Sequence, residues 1–201
     1  MLGWLRGKAE LRRTGHQLYE RIVAQAREPS LYERCGVPDT MEGRLEMILL
    51  HVVLVLERLK SEGPTGQRLG QQVMERLVAE MDDALRRVGY GDDGVAGRLP
   101  RLGAALSERA QDYGAAFSAE AGQPRDALET ALLAHVYRPV DAVASSVAIP
   151  LALRLADYVR QARSLLAATR SAELIAGRVA FPPVLAATPS GTTMATGDQR
   201  R

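Results

Sequence analysis

The chain has 201 residues, 46% of them hydrophobic and 25% charged, with a net charge of +2. That length favours one domain, or one domain with a tail, and the composition is that of an ordinary globular protein. So small a net charge gives no grounds for DNA binding, the single cysteine, Cys35, excludes an internal disulfide and every multi-cysteine metal motif, and aromatic residues at 4% leave Leu, Val, Ala and Met to build the core.

The first 13 residues set Leu2, Trp4 and Leu5 beside Arg6, Lys8, Arg12 and Arg13. The early charges break up any secretory signal. Leu2, Trp4, Leu5, Arg12 and Arg13 suit contact with a lipid interface or with RNA, the tryptophan at head-group depth; the plainer alternative is a frayed start that packs on the domain or on nothing. Leu18, Ile22 and Val23 then space an amphipathic helix over roughly 14–27. Ser30 to Cys35 reads as a short helical turn ending at Gly36.

Pro38 to Gly63 is the strongest helical block. Asp39 is placed as N-cap, with Glu42 three residues on completing a capping-box pair. Met47 to Leu56 is apolar apart from His51. This run is shorter than the roughly 20 residues that span a bilayer. Arg44 and Glu46 precede it, and Glu57, Arg58 and Lys60 follow, which predicts the buried central helix of a bundle. His51 within it is expected to be a core residue with one hydrogen-bond partner rather than a ligand.

A fourth helix is predicted over roughly 65–88, with Val73, Leu77, Met81, Leu85 and Val88 on one face and Gly89 as C-cap. A tight turn through Gly94 carries Asp92 and Asp93 as turn and N-cap residues. A fifth helix covers 95–120, a sixth 124–137 ended by Pro139, and a seventh 147–169. Pro100 and Pro150 fall in the first turns of the fifth and seventh, where a missing N–H does little harm. Beyond Pro182-Pro183 the chain is small and polar and is expected to be a disordered tail. There is no internal repeat and no strand alternation. The expected fold is all-α, a single helical bundle-like domain of about six to seven helices. Its divisions are a basic amphipathic segment at 1–13, a helical domain at 14–181 and a tail at 182–201.

Catalytic chemistry finds little support. His16, His51 and His135 are far apart and form no HExxH or ExxH pair. P-loop, dinucleotide-binding and nucleophile-elbow motifs are absent. Asp82-Asp83 followed by Arg86 faintly resembles the DDxxD of prenyl-chain synthases with its last acid replaced, and reads more simply as an i,i+4 ion pair between Asp82 and Arg86. No metal, cofactor or catalytic residue is expected. Two alternatives stay open: an isoprenoid or quinone enzyme on a helical bundle using Asp82 and Asp83, and a ribosome-associated structural factor.

The ordered segments LLHVVLVLERLKSEG, MDDALRRVGYGDDGV, LADYVRQARSLL and AGRVAFPPV resemble the ubiquinol-cytochrome c chaperone family, over about Leu18 to Val184. The resemblance implies an all-helical, non-catalytic assembly factor of the cytochrome bc1 complex. It implies cytochrome b or another bc1 subunit as client, a small partner protein, and work near the ribosome at the inner membrane. The matching positions are Leu50, His51, Arg58, Lys60, Gly63, Asp82, Gly89, Tyr158 and Arg160. Of these, Leu50, His51, Arg58, Lys60, Asp82, Tyr158 and Arg160 are the candidates for client or partner binding. A long mitochondrial presequence is missing from the sequence, which implies a bacterial member at the cytoplasmic face of the inner membrane. His135-Val136-Tyr137-Arg138 departs from the asparagine-containing form expected of bacterial relatives. A Leu- and Val-rich groove would shield a hydrophobic client segment. Met74 and Met81 would either adapt to it or serve as plain core residues.

Overall fold

A computed structural model describes residues 2–87, 89, 91–119, 126–138 and 142–184. Among them the chain is all-α. Its helices are α1 (Leu2–Ala26), α2 (Pro29–Cys35), α3 (Met41–Lys60), α4 (Gly63–Arg87), α5 (Asp92–Ala119), α6 (Asp126–Leu132), α7 (Ala142–Ala168) and α8 (Ser171–Ile175). A π-helical turn at Leu133–Tyr137 extends α6. The seven expected helices are present, and α8 is an additional short one.

α3 is the axis of the molecule. Every residue from Met47 to Val55 is buried, as a helix apolar on all sides must be. It packs on α1, α4, α5, α7 and the π turn. Its N-cap is Thr40 rather than the expected Asp39. The Thr40 backbone is extended (φ −110°, ψ 170°) and its side chain accepts from the Gly43 N–H at 3.1 Å. The backbone explains the shift. A Cβ on Gly43 would lie 2.0 Å from Pro38 O, so the chain folds back over the first turn and leaves Asp39 outside. Asp39 instead meets Arg44, Oδ1 to Nε at 2.6 Å.

α1 starts at Leu2, with no break at residue 13. It crosses α4 closely: a Cβ on Gly15 would stand 2.3 Å from Gln72 Cβ. α5 and α7 also start upstream of expectation, at Asp92 and Ala142. Pro100 and Pro150 sit inside α5 and α7 rather than in their first turns. Pro150 has no N–H to offer the Ser146 carbonyl four residues back, and both residues are exposed. Val88 and the predicted tail from 185 onward lie outside the described residues.

The π turn and the C-terminal strap had no counterpart in the sequence reading. Arg138 N–H reaches back five residues to Leu133 O at 2.8 Å, and Arg138 closes the turn at φ 42°. A non-glycine residue there is uncommon and needs outside support. After α8 the chain returns to the core: Phe181 packs edge-on to His51 at 5.3 Å, and Val184 is buried with its carbonyl accepting from Arg34 Nη1 at 2.7 Å. The packed chain therefore runs past the predicted boundary at 182.

Candidate functional site

The functional candidates on α3 fall into three tiers along its axis. In the middle tier His51 is fully buried. Its Nδ1 stands 2.7 Å from Met47 O, which can only accept, so Nδ1 carries the proton. Nε2 then accepts from the Tyr158 hydroxyl of α7, also at 2.7 Å. Burial lowers the His51 pKa to about 4, the Met47 bond opposing it in part. Two candidates named singly from separate segments are thus brought together, as a neutral core lock between α3 and α7. Leu50 beside it is 0% exposed.

The C-terminal tier is built on Arg58. Its Nε and Nη2 donate to Leu166 O and Thr169 O, both at 3.0 Å, while Nη1 donates to Ser61 Oγ at 2.6 Å and Glu62 Oε1 at 2.5 Å. Leu166 and Thr169 mark the end of α7, where carbonyls lack their i+4 partners; the Thr169 N–H reaches Leu166 O at 3.2 Å, and one guanidinium completes the cap of this neighbouring helix. Glu62 Oε1 also accepts from Ser171 Oγ at 3.0 Å, tying in α8.

The N-terminal tier escaped the sequence reading. Glu46 is 6% exposed and Arg109 of α5 is 5% exposed. Arg109 Nε and Nη2 donate to the two Glu46 oxygens at 3.0 and 2.5 Å, and Arg138 Nη2 adds a third bond at 3.0 Å. The paired carboxylate favours the charged guanidinium and raises the Arg109 pKa. The same pair anchors Arg138 in its unusual backbone state. Beside it, His135 Nε2 lies 2.7 Å from Asp112 Oδ2. One signal was available: Glu46 shares the i,i+4 row of Leu50 and Leu54, the core-facing side of α3.

The remaining predicted positions are spread over the surface. Lys60 pairs with Glu57. Asp82 Oδ2 meets Arg86 Nε at 2.9 Å, the expected i,i+4 pair. Arg160 bridges Glu129 at 2.8 Å and Asp157 at 3.4 Å. Arg12 and Arg13 are exposed, and with His16 and Glu20 they edge a cleft of about 340 Å³. The side chains of Leu2, Trp4 and Leu5 lie outside the described residues. Met74 and Met81 are half-buried against the core.

The Leu and Val residues of α3 from Leu49 to Val55 are buried under the bundle, and Leu54 only edges a cleft together with Glu57, Arg58, Phe117 and Arg163. Exposed apolar surface gathers instead on the first half of α7, where Val147 is 62% exposed and Ile149 and Leu153 are each 48% exposed. Leu151 on the same helix turns inward, and Gly36 (φ 62°) lies so near that a Cβ there would come within 2.7 Å of Leu151 Cδ1.

The ubiquinol-cytochrome C chaperone family matches residues 33–181. The chain belongs to this family. A solved structure agrees: the crystal structure of the Cbp3 homolog from Brucella abortus is 33% identical, covers 91% of this chain and 97% of its own, and superposes with a TM-score of 0.77. No curated protein matches the chain. In this ubiquinol-cytochrome C chaperone, the matched span holds all three tiers and the α7 face, while α1 precedes it. Among the described residues no helix is long and apolar enough to cross a membrane.

Proposed function

We propose that this chain is a non-catalytic chaperone that binds newly made cytochrome b and promotes assembly of the ubiquinol-cytochrome c reductase complex. Family membership across most of the chain carries this reading. The geometry supplies a candidate surface for it. Ile149 and Leu153, one turn apart, form an exposed apolar strip on a helix whose inner side is locked by Tyr158 and Arg58, and Val147 is exposed on another side of the same helix. Such a face can cover an apolar helix of a membrane subunit before its native neighbours arrive. The buried candidates Leu50, His51, Tyr158 and Arg58 would then act by holding this face in place. Lys60, Asp82 and Arg160 remain available to a partner protein at the surface. The exposed basic flank of α1 suits anionic lipid at the cytoplasmic face of the inner membrane, or ribosomal RNA.

The test is genetic. Deletion of the gene should lower assembled bc1 while sparing unrelated respiratory complexes. Re-expression of an Ile149→Asp/Leu153→Asp variant should give a folded protein that fails to restore bc1. Normal bc1 in the deletion strain would refute the proposal, and full rescue by the double variant would remove the α7 face from it.

A further inference from the structure

The fold assembles a set of metal-ligating side chains that no sequence spacing announces. We propose that Glu108, Asp112 and His135 form a binding site for a divalent transition-metal ion of the zinc class. One ligand atom from each lies within 4.8 Å of the others. Ligands of a tetrahedral zinc ion stand about 3.3 Å apart, given metal–ligand bonds near 2 Å, so a small closure completes the set. Glu108 and Asp112 are one turn apart on α5, both exposed, and open to an ion from solvent. His135 comes from the opposite side, on the π turn, and is only 5% exposed.

The surroundings hold the ligands in place. Arg109 Nη1 fixes Glu108 Oε2 at 2.6 Å and leaves the other carboxylate oxygen to ligate. Glu46 engages that same guanidinium through both oxygens, at 3.0 and 2.5 Å. Three carboxylates, Glu46, Glu108 and Asp112, therefore face two guanidiniums, Arg109 and Arg138, and the cluster stays net negative toward a cation. The His135 ring is held edge-on by Tyr113, with centroids 5.6 Å apart at 71°. Arg138 Nε donates to the His135 carbonyl at 3.2 Å and steadies the turn. Outer contacts of this kind orient metal ligands in built sites. Tyr113 supplies an independent sign of an unfinished polar site. Its hydroxyl is fully buried with no protein partner, and it lies in the field of Glu46, Arg109, Asp112 and Arg138. Metal loading replaces the His135–Asp112 hydrogen bond: the ring adopts the Nδ1–H tautomer and Nε2 offers its lone pair. An imidazole with two carboxylates favours zinc-class ions over calcium or magnesium, which prefer all-oxygen shells.

The full chain, stripped with EDTA, should be titrated with Zn²⁺ by calorimetry and with Co²⁺ by visible absorption. One saturable site is expected, together with Co²⁺ d–d bands of an N/O shell. Glu108→Gln and Asp112→Asn, both at exposed positions, should each weaken binding at least about tenfold while leaving the circular dichroism of the protein unchanged. A wild-type chain without saturable binding, or wild-type affinity in both variants, would overturn the site.

Discussion

His51 stays neutral at physiological pH because burial holds its pKa near 4, well below the ordinary 6.5. The sign of its effect on stability follows. Below pH 6.5 the unfolded histidine takes up a proton that the folded one refuses until about pH 4. The unfolded state then binds more protons, and stability falls as the pH falls through that window. The loss amounts to about 3 kcal/mol once the pH is below 4. Urea unfolding at pH 7, 5.5 and 4.5 should show this decline, and His51→Gln should flatten it; an identical slope in the variant would assign it to other groups. The histidine was legible as a core residue from its apolar neighbours. Its partner was not, because Tyr158 lies 107 positions away in sequence and periodicity carries no information about which helix faces which.

At the level of elements, α7 depends on α3 at its end as well as along its length. Arg58 satisfies two carbonyls at the end of α7 with one rigid fork. Arg58→Ala should therefore cost about 1 kcal/mol or more by removing a donor from two part-buried carbonyls, seen as a lowered thermal midpoint. Arg58→Lys should recover little, since an ammonium cannot reproduce the geometry of a planar guanidinium. A lysine variant as stable as wild type would show that charge alone is enough. Element existence was readable from apolar spacing, but element starts were not. Proline was taken to mark the first turns of the fifth and seventh helices, yet α5 and α7 each extend upstream of theirs. Exposed prolines cost a helix little where water can reach the freed carbonyl. The π turn was invisible because Arg138, which closes it, is held by a tertiary bond to Glu46 92 positions away, which no local pattern announces.

On the scale of the whole molecule, α1 joins the basic amino-terminal residues to the bundle as one continuous helix. Leu11 packs against the core while Arg12 and Arg13 remain exposed. A membrane-contacting flank would thus be rigidly coupled to the face on α7 proposed for the client. Co-sedimentation with anionic vesicles should be lost in an Arg12→Glu/Arg13→Glu variant and weakened by salt, as expected for charges within a Debye length of about 10 Å at 0.1 M. Binding that ignores both changes would rule out this electrostatic contact.

The amino-acid sequence by itself determined the all-α class, the seven principal helices, the buried α3 and the family, because helix periodicity and ordered local segments are properties of neighbouring residues. Tertiary structure alone decided which polar groups distant in sequence meet. Glu46 and Arg109 are 63 positions apart, and only the crossing of α3 and α5 makes them a buried pair. It also decided which apolar residues stay uncovered. Val147, Ile149 and Leu153 are as hydrophobic as their buried neighbours, but α7 turns them to solvent. That distinction between core and contact surface depends on how the helices pack, and no local pattern encodes it.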